Sequence, residues 1–572
     1  MNKECERWLA SPNTDEATKK ELYNIKGSEN EIASRFSAPL SFGTAGLRGI
    51  MRAGIAGMNS YTVAQATQGL ARVVLSADGA ANGVAIAYDC RNNSRLFAET
   101  AARVLAYNNI KVYLFDSLRP TPELSFAVIY LGCIAGINIT ASHNPKEYNG
   151  YKVYWSDGAQ LPPEHADEVS KAMAESDVLD IKKMPLDEAI SSGIVTIIGE
   201  EIDREYLKNV LDCRINPEII RAYGNSLSLV YTPLHGTGYR LIPETLKLAG
   251  IDNLRVVPEQ AEPDGNFPTV ESPNPENKPC FRLAFDYIQK NKLSTDVVIA
   301  TDPDGDRLGV AVKERDGSFS ALSGNRIGAL LVDYIIKARR AKGTLPENAC
   351  AIRSVVSSEL FDKICRKNGV KPVTVLTGFK YIGEKIKEYA ETGEHTFIFG
   401  YEESQGFLSG GYVRDKDGVA ASLLIAEAAS YYKSINKTLF EALEDIYAEY
   451  GYHDELTLSV AIKGALPMET MKRKMSDLRS DDIEQINNVP LTVKGDYKAG
   501  ITVDLKTNVC TRTGLPITDM LYYKTTDGTT VIIRPSGTEP KVKAYILTNG
   551  KNKNEISVKL DAYKNAVLKL FN

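Results

Sequence analysis

Three aspartates stand at alternate positions in the segment DPDGDR, residues 302–307. Carboxylate oxygens at this spacing suit a hard divalent cation, and Gly305 permits a tight bend between them. An EF-hand calcium loop is excluded, because Arg307 and Lys313 stand where that loop requires glycine and glutamate. The alternative is an Asp-rich turn without a metal. Because three carboxylates leave coordination positions open, the segment suits Mg²⁺ that also contacts a phosphoryl oxygen. The predicted metal ligands are Asp302, Asp304 and Asp306.

A serine lies in the segment TASHNP, residues 140–145, directly after an apolar stretch at 131–139. A hydroxyl presented in this way is a candidate nucleophile, and the alternatives are a helix cap or a surface turn. His143 adjoins Ser142, but no G-x-S-x-G elbow occurs, which argues against an α/β-hydrolase triad.

A second group of loops has the chemistry to bind phosphate and hydroxyl groups. In RPSGTEPKVK, residues 534–543, backbone N–H groups, hydroxyls and a guanidinium can bind a phosphate, although a plain hairpin turn has the same composition. In GYEESQG, residues 400–406, two glutamates and a serine can bind sugar hydroxyls, and a solvated acidic turn is the alternative. Lys380 in TGFKYIG, Arg414 in YVRDKDG and Arg48 in SFGTAGLRGIMR are further candidates for binding anions.

The elements that would position these loops follow a pattern that occurs three times. Short apolar runs alternate with helical patterns, which predicts α/β domains with largely parallel sheets. The runs are 84–89, 110–116 and 134–139, then 227–236, 254–258 and 296–301, then 349–356, 372–376 and 395–400. The serine turn, DPDGDR and YEESQG each follow the last run of a copy, where ligands gather in such sheets, so we expect them to converge on one cleft.

The chain from about Asp454 onward has a different pattern. Alternating runs predict an antiparallel sheet with helices on one face, and residues 471–485 predict a charged, exposed helix. Charged or glycine-containing joints near 195–205, 313–325 and 440–455 are candidate boundaries. The predicted domains are 1–200 with the serine loop, 201–318 with the metal loop, 319–445 with the sugar loop and 446–572 with the phosphate loop.

Composition excludes several functional classes. With 572 residues, 43% hydrophobic and 25% charged, the chain has the composition of a globular protein of several domains. A net charge of −5 argues against nucleic-acid and membrane partners. Eight scattered cysteines indicate reduced thiols, and no signal segment or apolar run of about 20 residues occurs, so we expect a cytoplasmic protein. Neither a dinucleotide-binding fingerprint nor a P-loop is present.

Four motifs in the order TASHNP, DPDGDR, GYEES and RPSGTEP extend over nearly the whole chain and resemble the active-site loops of the α-D-phosphohexomutases. Within that superfamily the chain is similar to the long phosphoglucomutases and related phosphomannomutases. The resemblance implies an α/β fold with three similar α/β domains of mixed sheets. It also implies a C-terminal TATA-binding-protein-like α+β domain, with all four domains arranged around a central cleft.

The resemblance also implies roles for individual residues. Ser142 would carry a phosphoryl group and join the aspartates as a metal ligand. The implied catalytic residues are Ser142, His143, Arg48, Lys152 and Arg307. The implied sugar-binding residues are Glu402, Ser404, Thr377, Gly378 and Lys380. The implied phosphate-binding residues are Arg534, Ser536, Gly537, Thr538 and Arg414.

The implied activity is an intramolecular phosphotransfer that interconverts glucose 1-phosphate and glucose 6-phosphate. It would require Mg²⁺ and glucose 1,6-bisphosphate as a primer, in a monomer or homodimer whose partners are small sugar phosphates. Gln405 and Gly406 follow Ser404 where some relatives have histidine, so that histidine's proton-transfer role is not carried over. The GEES form of the loop favours glucose phosphate over mannose phosphate.

Three alternative functions stay open at this point. A phosphomannomutase or phosphopentomutase would use the same mechanism. A sugar phosphatase would use Asp302 as nucleophile, because an apolar strand that enters DPDGD is similar to the D-x-D segment of haloacid-dehalogenase phosphatases. A sugar-phosphate sensor would keep the cleft without catalysis.

Overall fold

The computed structural model of the chain describes residues 2–43, 46–462, 466–481, 483–536 and 541–571. It divides into two compact units. The first comprises the residues up to Ile327 together with Ile382–Leu439, and the second comprises Gly328–Tyr381 and the residues from Phe440 onward. Among the described residues, no helix is both long and apolar enough to cross a membrane.

The helices and strands are numbered in chain order. The helices are α1 Lys3–Ala10, α2 Glu16–Asn24, α3 Glu29–Phe36, α4 Ser60–Ser76, α5 Ser94–Tyr107, α6 Thr121–Tyr130, α7 Pro163–Ala174, α8 Leu186–Ser191, α9 Glu200–Asp212, α10 Pro217–Tyr223, α11 Gly238–Ala249, α12 Pro258–Ala261, α13 Arg282–Lys290, α14 Gly324–Ala341, α15 Leu360–Lys367, α16 Phe379–Thr392, α17 Gly418–Ser434, α18 Leu439–Tyr450, α19 Pro467–Ser480 and α20 Lys553–Lys569. The strands are β1 Leu47–Ile50, β2 Val84–Tyr88, β3 Val112–Phe115, β4 Ala135–Ile139, β5 Tyr148–Trp155, β6 Val195–Ile198, β7 Leu229–Thr232, β8 Leu254–Val256, β9 Val297–Thr301, β10 Leu308–Lys313, β11 Phe319–Ala321, β12 Ala349–Ser354, β13 Lys371–Val375, β14 Thr396–Glu402, β15 Gly406–Leu408, β16 Tyr452–Ala461, β17 Gln485–Ile486, β18 Val489–Asp496, β19 Ile501–Asp504, β20 Val509–Arg512, β21 Leu521–Thr525, β22 Thr530–Pro535 and β23 Lys541–Gly550.

The first sheet has six strands in the order β1–β5–β4–β2–β3–β6. Strands β2, β3, β4 and β6 run parallel, whereas β5 pairs antiparallel with β4 and β1 pairs antiparallel with β5. Strands β2 and β4 are buried along their whole length, which explains why they are continuous apolar runs in the sequence. The antiparallel turn into β5 follows from its short connection, because the step from Ile139 to Tyr148 is shorter than the dozen or so residues that a parallel crossover needs.

The second sheet of the first unit has the order β11–β10–β9–β7–β8. Strands β7, β8 and β9 are parallel, and β10 and β11 complete the sheet as an antiparallel meander. A third pair, β14 and β15, forms a hairpin in which Glu402 is opposite Gly406. Helices and mixed sheets alternate along the unit, which confirms the predicted α/β class.

The second unit contains the parallel pair β12–β13 and an antiparallel sheet in the order β16–β23–β22–β21–β18–β19–β20, with β17 paired to β18. Helices α19 and α20 cover one face of this antiparallel sheet and share its core with Val531 and Ile546. The helix α19 begins and ends slightly before the predicted segment. It buries Met471, Met475 and Leu478, so it is amphipathic and not the fully exposed helix that its charge predicted.

Candidate active site

The serine turn begins where β4 ends, and it holds Ser142 in an unusual backbone conformation. Its φ is +52°, in the left-handed region, which costs a non-glycine residue on the order of 1–2 kcal/mol. The backbone N–H of Ser142 donates to Thr140 Oγ1 at 2.8 Å. The Ser142 hydroxyl donates to Asp302 Oδ2 at 2.9 Å and lies 3.2 Å from His143 Nδ1. The turn therefore directs a buried hydroxyl at the first aspartate of DPDGDR.

The DPDGDR turn follows β9 and brings its three carboxylates together. Their oxygens lie within 4.8 Å of one another, and all three side chains are buried. Gly305 has φ +66°, and a Cβ there would lie 2.9 Å from Pro120 Cβ, so both conformation and space require glycine. Within the part of the chain that the structure describes, Asp304 Oδ1 and Asp306 Oδ1 are buried without a hydrogen-bond partner. Orphaned buried oxygens of this kind fit a bound cation.

Two lysines contact the carboxylate cluster from different strands and loops. Lys152 Nζ on β5 lies 2.7 Å from Asp304 Oδ2 and 3.8 Å from Asp306 Oδ2. Lys416 Nζ lies 3.2 Å from Asp306 Oδ2 and 2.9 Å from Asp415 Oδ1. Arg307 adds a third cation, with Nε 3.9 Å from Asp302 Oδ2. Charges buried at this depth need such partners.

Proton affinities in the cluster follow from burial and from these neighbours. Burial favours the neutral form of Asp304, but the charge of Lys152 and the hydrogen bonds that Asp304 accepts, including those from Lys152 and Thr121, together outweigh burial and hold the pKa of Asp304 well below its usual range. Burial and the charges of Asp304 and Asp306 raise the pKa of Asp302 well above its usual range. Burial would lower the pKa of Lys152 and of Lys416, but the surrounding carboxylates raise both, so the two ammonium groups stay charged.

His143 and Arg48 lie at the serine turn. Burial, with the charge of Arg307 as a further cause, lowers the pKa of His143 well below its usual range, so its imidazole is neutral. Arg48 stands on β1, paired with Gly150 of β5, and its Nη1 donates to Asn144 Oδ1 at 3.2 Å. The fold thus brings Arg48, distant in sequence, to the turn that carries the adjacent residues Ser142 and His143.

The loop of the β14–β15 hairpin lies against the DPDGDR turn. Leu308 N donates to the carbonyl of Gln405 at 3.0 Å, and Arg307 forms a β-bridge with Gly406. Glu402 is buried at the end of β14, where its charge contributes to raising the pKa of Lys416, while Ser404 is half-buried. The first unit therefore brings Glu402, a predicted sugar-binding residue, to the same cluster as the serine and the aspartates.

The predicted phosphate-binding role of Arg414 requires a guanidinium that is available to a ligand. The structure places Arg414 in a different environment. Its Nη1 donates to the carbonyl of Val413 at 3.1 Å and also to the carbonyl of Gly411. Burial lowers the pKa of Arg414 from its ordinary value. The guanidinium is thus folded back on its own loop, and its phosphate-binding role stays a prediction.

The remaining candidates lie in the second unit. Thr377 and Gly378 follow β13, and Gly378 has φ +121°. Lys380 Nζ lies 4.8 Å from the centroid of the Tyr381 ring. Arg534 is the penultimate residue of β22, opposite Lys543 on β23, and Ser536 N donates to the carbonyl of Lys541 at 2.8 Å. The other two predicted phosphate-binding residues lie outside the described residues: Gly537 and Thr538.

Two residues at the carboxylate cluster were not singled out from the sequence. Lys416 is in the segment YVRDKDG, in which only Arg414 was predicted to bind a ligand. Thr121, at the start of α6, donates from its backbone N–H to the Asp304 carbonyl at 2.8 Å and from Oγ1 to Asp304 Oδ2 at 2.9 Å. The sequence offers a signal for Lys416, because this lysine stands between two aspartates. No spacing rule connects Thr121 to an aspartate so distant in sequence.

Comparison with known proteins agrees with this arrangement. Models of phosphoglucomutase/phosphomannomutase alpha/beta/alpha domains I, II and III match residues 39–179, 204–317 and 323–450. A phosphoglucomutase from Staphylococcus aureus (strain MSSA476) is 36% identical over 563 residues, which cover 98% of this chain and 98% of that protein. The chain belongs to the phosphoglucomutase/phosphomannomutase family. It is accordingly a mutase enzyme, with the activity of a phosphohexomutase.

Solved structures of the phosphoglucomutase/phosphomannomutase family share its fold. The open form of the Paramecium phosphoglucomutase pp63/parafusin has a TM-score of 0.67 at 18% identity and covers 93% of this chain and 95% of its own. The N-acetylphosphoglucosamine mutase of Aspergillus fumigatus, in complex with GlcNAc-6P and magnesium, has a TM-score of 0.51 at 14% identity. That match covers 98% of this chain and 100% of the Aspergillus chain.

Proposed function

We propose that this phosphohexomutase interconverts glucose 1-phosphate and glucose 6-phosphate through a phosphoserine at Ser142 and a 1,6-bisphosphate intermediate. The observation that carries the proposal is the geometry of one hydroxyl. Ser142 Oγ is buried, is held by a left-handed backbone and lies 2.9 Å from the first of three clustered aspartates. A serine that accepts and returns a phosphoryl group needs this combination of fixed direction and adjacent cation-binding oxygens.

The metal site of the proposal is formed by Ser142, Asp302, Asp304 and Asp306. The two orphaned carboxylate oxygens support it, since each is buried and makes no hydrogen bond with a described residue. Mg²⁺ bound there would neutralise charge on the phosphoryl oxygens. Lys152 and Lys416 supply fixed positive charge beside the same buried carboxylates.

The proposed chemistry consists of two phosphoryl transfers. In the first, the bond between phosphorus and Ser142 Oγ breaks as phosphorus bonds to a sugar hydroxyl oxygen, and that hydroxyl releases its proton. In the second, the other phosphate of the bisphosphate passes to Ser142 Oγ, and the sugar oxygen regains a proton. Glu402 and Ser404 are proposed to bind the sugar hydroxyls in either orientation, and Arg534 and Ser536 to bind a phosphate group.

The contacts of Asp302 favour this assignment over a phosphatase with Asp302 as nucleophile. Its Oδ2 accepts from the Ser142 hydroxyl, and its Oδ1 accepts from the backbone N–H of Arg307 at 3.1 Å. A carboxylate with both oxygens engaged is suited to hold a cation and orient a hydroxyl. Glucose phosphate as the substrate, the cytoplasmic location, the domain boundaries and the monomeric or dimeric state stay predictions from the sequence.

The test is replacement of the serine together with chemical detection of the phosphate. Ser142→Ala should abolish interconversion of glucose 1-phosphate and glucose 6-phosphate, and mass spectrometry of purified wild type should find phosphate on Ser142. Ser191→Ala, at an exposed serine that ends α8, is the matched control and should retain full activity. Full turnover by Ser142→Ala would disprove the proposal.

The same assay separates the competing substrates and chemistries. The kcat/KM for glucose 1-phosphate should exceed that for mannose 1-phosphate and for ribose 1-phosphate. A higher kcat/KM for mannose 1-phosphate or ribose 1-phosphate would leave the proposed mechanism unchanged and identify a different substrate. Release of inorganic phosphate without isomerisation would indicate the phosphatase instead, and binding without turnover would indicate the sensor.

A further inference from the structure

The turn that carries Ser142 is held from behind by the guanidinium of Arg91. Nη1 of Arg91 donates to the carbonyls of Pro145 and Tyr148 at 2.9 and 3.0 Å. Nη2 donates to the carbonyls of Ser142 and Asn144 at 2.6 and 2.5 Å. The four N–H groups of the two terminal nitrogens thus meet four carbonyls of one loop. All four of these hydrogen bonds are to the main chain of the loop.

Asp89, at the end of β2, fixes both the arginine and the start of the turn. Its Oδ2 lies 3.2 Å from Arg91 Nε, and neither side chain is exposed to solvent. The same oxygen accepts from Thr140 Oγ1 at 2.6 Å, and Thr140 Oγ1 in turn accepts from the backbone N–H of Ser142. Ser94 Oγ donates to Asp89 Oδ1 at 2.8 Å. A continuous chain of contacts therefore runs from β2 to Ser142.

The arginine has little freedom to move. The ring of Phe267 lies 5.1 Å from Arg91 Cζ, so an aromatic face covers the guanidinium while Asp89 and the carbonyls engage its nitrogens. Backbone in the left-handed region persists at a non-glycine residue only where surrounding contacts overdetermine it. Arg91, Asp89 and Thr140 supply such contacts on both sides of Ser142.

We propose that Arg91, together with Asp89 and Thr140, is a positioning group for phosphoryl transfer, which holds the Ser142 turn in the conformation that aims Oγ at Asp302. This inference rests on the proposed function of Ser142. Lysine cannot replace arginine here, because its three N–H groups radiate from one nitrogen and cannot reach four carbonyls spread over residues 142–148. A lysine at this position would keep the positive charge, but the loop that carries Ser142 would be free to shift.

The test compares Arg91→Lys with wild type in steady-state kinetics. We expect kcat to fall about 10- to 100-fold, because a displaced reacting group loses that much rate, while KM changes less than about threefold. The ³¹P resonance of the phosphoserine should shift and narrow in the variant as the phosphate becomes mobile. Ile352→Val, a core change on β12 far from the turn in sequence, is the control for lost stability and should keep wild-type kcat.

Thr140→Val is a second variant, chosen because it keeps the shape of the side chain and all of the arginine. It removes the link from Asp89 to the Ser142 N–H, and kcat should fall about 10-fold with little change in KM. Wild-type kcat in Arg91→Lys, or in Thr140→Val if the first variant does not fold, would overturn the inference. If wild type itself lacks phosphoserine and mutase activity, the proposed function fails instead, so the two failures are distinguishable.

Discussion

At the scale of single residues, the site is organised by buried charges that neutralise one another. The three aspartates of DPDGDR are buried, and each is within about 4 Å of a cation: Asp302 of Arg307 in the same turn, Asp304 of Lys152 and Asp306 of Lys416. Burial and the mutual repulsion of the carboxylates favour their protonated forms, and the positive charges of Lys152, Lys416 and Arg307 oppose that shift. Side chains that orient a metal-binding carboxylate tune its affinity in the same way.

Thr121 permits a test of this orienting effect. Thr121→Val preserves the side-chain shape but removes the hydroxyl that donates to Asp304 Oδ2 and accepts from Asn138 Nδ2 at 2.7 Å. We expect the Mg²⁺ concentration at half-maximal activity to rise about 10-fold, with activity at saturating Mg²⁺ reduced less. Titration of metal-free enzyme with Mg²⁺, followed by the mutase assay, measures the change.

Thr100→Val is the matched control for that substitution. Its hydroxyl donates to the carbonyl of Leu96 within α5 and contacts no carboxylate of the cluster. We expect an unchanged Mg²⁺ requirement in this variant. Equal Mg²⁺ dependence of Thr121→Val and wild type would show that the threonine does not orient Asp304.

At the scale of elements, helix α17 connects the hydrophobic interior to Lys416, the cation beside the aspartate cluster. The helix is buried over most of its length, and Asp417 caps its N-terminus by accepting from Val419 N and Ala420 N at 2.8 and 2.9 Å. The hydroxyls of Tyr206 and Tyr412 also donate to this carboxylate, at 2.9 and 2.5 Å. Because Lys416 immediately precedes the cap, the start of the helix sets its position.

Asp417→Ala should therefore affect both stability and activity. The loss of the cap and of the acceptor for two buried hydroxyls should cost about 2–4 kcal/mol, and kcat should fall as Lys416 shifts. Urea unfolding and the mutase assay measure the two effects. Asn552→Ala removes the cap of α20, where no tyrosine hydroxyl depends on it, and should cost about 1 kcal/mol with unchanged kcat. Wild-type kcat in folded Asp417→Ala would contradict the coupling.

At the scale of the whole molecule, the two compact units differ in their tryptophans, and the second contains a buried histidine through which acid affects it. Both tryptophans, Trp8 and Trp155, lie in the first unit. The second unit contains His453, which is 7% exposed on β16 and whose Nδ1 lies 3.0 Å from the carbonyl of Gly451. Burial, with the charge of Lys363 as a further cause, lowers the pKa of His453 to about 4.

The second unit should consequently lose stability on acidification. Because the pKa of His453 is lower in the folded state than the usual value of about 6.5, the unfolded state binds more protons between pH 6.5 and pH 4. This histidine alone should remove about 2–3 kcal/mol over that window. His453→Asn should flatten the loss. Hydrogen exchange of peptides from β16 and β23, followed by mass spectrometry across that range, measures it, and equal pH dependence in both proteins would contradict the prediction.

The sequence by itself determined the α/β class, the three repeated strand patterns and the residues of the chemical loops. These features are local, because buried parallel strands are continuous apolar runs and a turn of alternating aspartates needs no distant partner to be recognised. Strands β2, β4 and β9 fall within the predicted runs for this reason. Family resemblance added the predicted roles of Ser142 and the aspartates, because four ordered motifs are similar to a known arrangement, and these roles stay predictions.

Tertiary structure alone decided which side chains meet. Lys416 reaches Asp306, Thr121 orients Asp304 and Arg91 holds the Ser142 turn, through contacts between segments far apart in the chain. The antiparallel direction of β5 and the amphipathic face of α19 likewise depend on the surface each element packs against. Periodicity and composition describe neighbours in sequence, whereas hydrogen bonds and ion pairs depend on neighbours in space, so these contacts became visible only in the folded chain.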